Sequence, residues 1–387
     1  MEAANTRLQT KPLYRADDRD EYGLYKAALE WNLVDPIIIE RREDLKSEYR
    51  WRERFSPYHH QITNLISYCR RLPVTLLADD VGLGKTISAG LVASELMVRG
   101  RVSKILVVCP KILREQWQEE LDQKFDIPSI IATGQELVEA QPPGELGAVI
   151  TTYHSARSYL DQLEDGRFEM LILDEAHKLR NLYGVQKPPQ VALRFRKTLA
   201  DRSFKYVLML TATPIQNRLW DLYSLVDLLT VARGHENPFG SEEKFANKFL
   251  DDHPSQARHL KPSKKDEFRS IVYGYMSRIR RGDADLHFPT RTVQLHLVQP
   301  SPTEMELISA IAKPIQSLGY LAQIVILQAL VSSPEALVKV LNGMAERKTA
   351  PRELADDVEK VASCISLTAK LAGLETFKVP RVRWTES

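Results

Sequence analysis

The chain is predicted to be an α/β protein, a parallel sheet with helices on both faces, followed by a helical extension. Three observations carry that reading. Six short apolar runs, VTLLADD, KILVVCP, SIIATG, AVITTY, MLILDEA and YVLMLTATP, recur with helical-period segments between most of them. Unbroken apolar strands alternating with helices are the pattern of a parallel sheet buried on both faces. Five of the six runs lead into polar or turn-forming residues, and the crevice beyond the carboxyl ends of such strands is where ligands collect. From about residue 303 the pattern is helical only, and no further set of strand-end motifs follows.

The length of 387 residues, 43% hydrophobic and 27% charged, is enough for a sizeable core and two or three domains. With 53 basic against 51 acidic residues, overall charge does not steer the chain toward nucleic acid, so any such contact must come from local patches. No run is long enough and free enough of charge to span a bilayer, and the start has no apolar core of a leader. No membrane partner and a cytoplasmic location are therefore expected. Cys69, Cys109 and Cys364 lack metal-ligand spacing and are expected to be reduced thiols.

In chain order, LYKAALEWNLV reads as a short amphipathic helix and ERREDLKSEYRWRERF as a charged one, an N-terminal helical extension over residues 1–50. After the first strand comes DDVGLGKT. Gly82 and Gly84 allow the backbone amides from Val81 through Leu83 to Lys85 to curl around phosphate oxygens, and the helix that follows points its N-terminus at the anion. Lys85 would reach the β- and γ-phosphates, and the Thr86 hydroxyl would ligate Mg²⁺. The strict form of this loop wants glycine where the chain has Asp79. In LILDEAHKL two acids directly follow an apolar run. A lone acid at a buried strand end is costly unless paired or metal-bound, so Asp174 suits a Mg²⁺ ligand and Glu175 a group that orients or deprotonates a water, with His177 beside them. Capping of the next helix is the alternative for the two acids.

DDVGLGKT, DEAH and LTATPIQN, in this order, resemble motifs I, II and III of superfamily 2 helicase-like ATPases, in the form of the Swi/Snf branch, which commonly carries an acid at the position of Asp79. PYHHQ at 57–61 is similar to the glutamine motif, VVCPKILREQW at 107–117 to motif Ia, and TTY at 151–153 to the next nucleic-acid-contacting motif; the similarity spans roughly residues 55–300. The closest flavour is the bacterial type typified by the RNA-polymerase-recycling ATPase RapA, also seen in phage-defence proteins, which implies RNA polymerase or phage-defence proteins as partners.

The resemblance implies a P-loop fold with a RecA-like ATP-binding lobe over residues 51–235, a helical protrusion or brace over 236–300, and a helical linker over 301–387 toward a second RecA-like lobe, in cis or in trans. It implies ATP and Mg²⁺ as cofactors and double-stranded DNA as the track, with an RNA-directed enzyme or a non-hydrolysing nucleotide switch as alternatives. Gln61 would read one edge of adenine. Thr211 and Thr213 would couple the DEAH acids to a moving neighbour, a role compatible with capping a helix before Pro214 and Ile215. Pro110, Lys111, Thr151 and Thr152 would hold successive phosphates of a strand. Arg278, Arg280 and Arg281 read as a solvated helix end, a nucleic-acid contact or part of the brace. The arginines of the second lobe are worth roughly 10³ to 10⁵ in turnover, so weak hydrolysis is expected of this chain alone.

Overall fold

The computed structural model describes residues 37–52, 55–163, 166–201, 203–284, 286 and 302–371. Seven parallel-paired strands make its sheet: β1 (Val74–Leu77), β2 (Lys104–Cys109), β3 (Ser129–Ile131), β4 (Gly147–Thr152), β5 (Met170–Leu173), β6 (Tyr206–Leu210) and β7 (Met276–Ser277). Their order is β3-β4-β2-β5-β6-β1-β7. Six of them are the apolar runs. The seventh, two residues long, carries no periodic signal and is found only by its pairing with β1.

The helices of this part are α1 (His59–Arg70), α2 (Lys85–Val98), α3 (Arg114–Phe125), α4 (Glu136–Glu139), α5 (Tyr153–Tyr159), α6 (Gln190–Ala200), α7 (Leu219–Arg233), α8 (Glu242–Phe249) and α9 (Lys265–Tyr275). Strand side chains alternate between two cores, as the two-residue strand period requires. Leu77, Val107, Ile172 and Leu208 face α1, α2 and α3, whereas Leu76, Val108, Leu173 and Met209 face α5, α6 and α7. Register brings the carboxyl ends into line, since Leu77 pairs with Leu210, Met209 with Leu173, and Leu173 with Val108. Residues directly after β1, β2, β5 and β6 therefore share one edge.

Contacts divide the chain into units Met1–Phe288 and Pro289–Ser387. The expected boundary at 235 is not a seam: Phe239, Phe245, Phe249 and Phe268 pack with Trp220 and Tyr223 of α7 and join the core of the lobe. Of the residues expected to form a helical linker, 302–371 make α10 (Pro302–Ala312), α11 (Tyr320–Ser332), α12 (Pro334–Glu346) and α13 (Arg352–Leu371), which close on a core of Leu307, Ile326, Leu337, Leu341 and Val358. Within 1–50, LYKAALEWNLV lies outside the described residues. The charged segment after it is not a helix but two 3₁₀ turns, Arg42–Asp44 and Glu48–Arg50. Its backbone is drawn onto the buried Glu95, whose carboxylate accepts from the amides of Lys46 and Ser47 and pairs with Arg99, while Leu45 and Trp51 enter the core. None of the helices searched among the described residues is long and apolar enough to cross a membrane.

Candidate active site

The chain leaves β1 buried, turns through Asp79–Gly84 and enters α2 at Lys85. Gly82 and Gly84 have φ of 87° and 71°, a region that costs other residues free energy. A Cβ at Gly84 would also stand 2.6 Å from Gln61 Nε2. The loop is fastened to α1. Leu83 O accepts from His60 Nε2 at 2.8 Å and from Gln61 Nε2 at 3.3 Å, and Tyr58 N donates to Gln61 Oε1 at 3.0 Å. Gln61 is buried, so its amide spans the loop and the start of α1 while lying beside the phosphate turn.

Lys85 Nζ donates to the carbonyls of Asp79 and Asp80 at 3.0 and 3.3 Å. Burial pulls its pKa down, against the carboxylates of Glu175, Asp79, Asp174 and Asp80, which pull it up. The ammonium therefore stands in the field of the acids beyond β5. Thr86, half-buried in the first turn of α2, is next to it, and Val81 is exposed at the lip of the turn.

Asp79, where the strict loop has glycine, is a fully buried fastening point: Asn64 Nδ2 donates to Oδ2 at 2.5 Å and Ile279 N to Oδ1 at 2.8 Å. The rest of that fastening is a strap formed by β7 and the residues after it. Ala78 N donates to Ser277 O, Asp80 N to Ile279 O, Arg281 N to Asp80 Oδ2 and Arg281 Nε to Val81 O, and Arg278 pairs with Asp80 at 3.4 Å. Two of the three clustered arginines thus lie on the phosphate loop. Sequence offered a basic run but not its destination, which is set by the pairing of β7 some 200 residues after the loop.

Beyond β5, Asp174 is 4% exposed, and burial raises its carboxyl above the ordinary range, helped by Glu175 and opposed by Trp117 and Lys85. Trp117 Nε1 donates to Oδ2 at 2.8 Å, Glu175 N to Oδ1 at 2.9 Å, and the Tyr153 hydroxyl to the Asp174 carbonyl at 2.8 Å. Glu175 sits at φ 53°, a left-handed conformation that is strained for a non-glycine residue. Its carboxylate meets His177 Nδ1 at 2.9 Å, and the same nitrogen lies 3.3 Å from Thr211 Oγ1, which accepts from Thr213 N. Burial holds His177 below its ordinary pKa, so the neutral ring links Glu175 to the end of β6. Thr211 is buried there and Thr213 exposed.

The donor chemistry fits a nucleotide's phosphates with Mg²⁺. Lys85 and the glycine turn offer donors, and Thr86 and Asp174 offer the hard oxygens that magnesium takes, few in number because it keeps waters and phosphate oxygens as its other ligands. A divalent cation would offset the burial cost that lifts Asp174. No group of three or more metal-ligating side chains occurs among the described residues, which rules out an all-protein cage there.

The candidate nucleic-acid contacts divide. Lys111 is exposed and Pro110 half-exposed after β2. Thr152 is half-exposed and caps α5 by accepting from Ser155 N, whereas Thr151 points inward, fully buried, because successive strand residues face opposite ways. A direct phosphate contact by the Thr151 hydroxyl is therefore closed off. Sequence reasoning missed Asn64 and Ile279, and gave Trp117 and Tyr153 only as parts of motifs. A tryptophan at the end of VVCPKILREQW, whose N–H demands a partner when buried, was the available signal for Trp117.

The SNF2-related domain family matches residues 58–354. An uncharacterized ATP-dependent helicase of Bacillus subtilis, YqhH, is 30% identical over 334 residues, which are 84% of this chain and 55% of that protein. The chain thus spans about half the length of that curated relative. Among solved structures, the Sulfolobus solfataricus SWI2/SNF2 ATPase core in complex with dsDNA is 20% identical, with a TM-score of 0.45 over 81% of this chain and 67% of that one. The corresponding core domain is 19% identical, with a TM-score of 0.48 over 88% and 68%.

Proposed function

The chain belongs to the SNF2-related domain family, and from that premise we propose that it is the ATP-binding half of a cytoplasmic translocase that moves on double-stranded DNA. The observation that supports this best is the convergence of Lys85, Asp174 and Glu175, with His177 joining Glu175 to Thr211. The loop amides and Lys85 bind the β- and γ-phosphates, and Gln61, expected to read adenine but buried with its amide on Leu83 O and Tyr58 N, steadies the loop instead. Thr86 and Asp174 would hold a magnesium ion, which neutralises phosphate charge when bound.

Glu175 orients a water whose oxygen attacks the γ-phosphorus as the bond to the β-phosphate oxygen breaks, and takes the proton that water loses. The His177 link makes Glu175 sensitive to Thr211 and Thr213, so opening and closing of a second RecA-like lobe reaches the base. That lobe, in cis or in trans, supplies the arginines this half needs, worth roughly 10³ to 10⁵ in turnover. Lys111 and Thr152 grip phosphates without reading sequence, so alternation of grip with hydrolysis gives movement. RNA polymerase and phage-defence proteins are the partners to test first, because they accompany the bacterial branch this chain resembles.

The test is hydrolysis by this chain joined with a second lobe, measured with duplex DNA, with RNA and with neither. Duplex-stimulated hydrolysis that Lys85→Ala abolishes, together with nucleotide binding, is expected. Stimulation by RNA alone would replace the DNA reading, and binding without turnover under all three conditions would make the site a switch.

A further inference from the structure

Asp174 is held by two buried aromatic donors that come from two different elements. Trp117, 1% exposed, lies in the first turn of α3, six residues after Lys111; its Nε1–H meets Oδ2 at 2.8 Å. Tyr153, 8% exposed, is the first residue of α5, directly after Thr152; its O–H meets the Asp174 carbonyl oxygen at 2.8 Å. One donor fixes the carboxylate and the other fixes the backbone that carries it. Neither residue has the exposure or position to touch a bound strand itself. Each lies in the first turn of a helix that follows residues at the edge of the sheet, Pro110 and Lys111 for Trp117 and Thr152 for Tyr153.

We propose that Trp117 and Tyr153 are positioning residues for Asp174 through which grip on a nucleic-acid backbone and magnesium-dependent grip on the nucleotide become linked. The inference rests on the functional reading above and names the side chains that carry its coupling. A shift of α3 or α5 when Lys111 or Thr152 takes a phosphate moves the donor on the Asp174 carboxylate or the donor on its carbonyl, and so moves the side chain that would hold magnesium. Hydrogen bonds to a charged acceptor are strong enough to alter an equilibrium by roughly 10- to 100-fold. Linkage is reciprocal, so each ligand must change the other's affinity by the same factor.

The experiment measures the affinity of the full chain for a short blunt duplex with and without a nonhydrolysable ATP analogue and Mg²⁺, and the affinity for the analogue with and without duplex. The two ratios should agree in the wild type. In Tyr153→Phe, which removes only a hydroxyl, and in Trp117→Phe, which keeps a buried ring without its N–H, the ratio should collapse about 10-fold toward one while each ligand alone still binds. Leu121→Ala in α3, a core change away from Asp174, should lower thermal stability and leave the ratio in place. Ratios unchanged in both aromatic variants, or lost equally in Leu121→Ala, overturn the proposal. So does a wild type that binds both ligands without linkage. A wild type that binds neither ligand instead overturns the functional reading beneath it.

Discussion

Asp79–Asp80 beyond β1 and Asp174–Glu175 beyond β5 are paired acids at equivalent ends of one sheet, and the partners given to each pair are of different kinds. The first pair is bonded by groups that travel from α1 and from the strap after β7: Asn64, Ile279, Arg278 and Arg281. These contacts fasten the phosphate loop. In the second pair, Asp174 is oriented by Trp117 and Tyr153, and Glu175 meets a neutral histidine while its side chain remains about a third exposed. An acid beside a nucleotide site is thus structural or chemical according to what its oxygens already hold, and residue type alone does not separate the two.

The sharpest way to break this contrast is to remove each carboxylate's charge. Glu175→Gln should retain nucleotide binding and reduce turnover by about 10²- to 10⁴-fold in a chain completed by its second lobe, the range for loss of a general base. Asp80→Asn should leave turnover within a small factor. Equal losses in the two variants, read from steady-state phosphate release, would erase the distinction.

Asp79→Ala is the next largest effect, and it falls on stability. Two donors, the buried Asn64 Nδ2 and the half-buried Ile279 N, lose this acceptor, although Asn64 keeps Ser88 Oγ at 3.2 Å. Each unsatisfied donor costs about 1–3 kcal/mol, and relief of the burial that raises the Asp79 pKa offsets part of it. A net loss of about 1–3 kcal/mol, seen as a lower urea midpoint at unchanged slope, is expected.

The contrast also marks what was legible in sequence. The six longer strands, the glycine turn and the DEAH acids declare themselves through local pattern: apolar runs, tolerated φ and charges at strand ends. Asp79 was visible as a departure from the strict loop, and the family resemblance supplied a precedent for it but not its bonds. Those bonds depend on a two-residue strand and a strap about 200 positions away, and no local periodicity encodes such a pairing. Thr151 and Thr152 share one expected role as neighbours at a strand end within TTY, although the strand period sends their side chains to opposite faces. The helices after residue 301 are legible from their apolar period, but not that they bury one another, because that packing depends on contacts between helices.

A smaller effect sharpens the role of the strap. Arg281 donates from Nε to Val81 O at 2.8 Å, and its guanidinium would lie 3.3 Å from a Cβ at Gly82. The side chain is exposed, and contacts of that kind contribute up to about 1 kcal/mol. Arg281→Ala should therefore weaken nucleotide binding by about two- to five-fold in a titration calorimeter. Loss of binding altogether would mean that the strap contacts the phosphates themselves.

The smallest effect is a pH slope from His177, the partner of the second acid pair. Burial holds His177 below its ordinary value of 6.5, with Glu175 opposing. As pH falls, the unfolded chain binds that proton first, so stability linked to His177 is whole above about 6.5 and is lost as the pH drops through the lower folded value. His177→Gln keeps a polar group beside Glu175 and Thr211 and should flatten that part of the denaturation midpoint's decline below pH 6.5. Asp79 and Asp174 run the other way: their raised values contribute stability that is present below about 3.8 and lost as pH rises through the folded values. A midpoint that climbs on acidification from pH 6.5 would show the raised acids outweighing the histidine, and a slope unchanged by His177→Gln would remove His177 from the account.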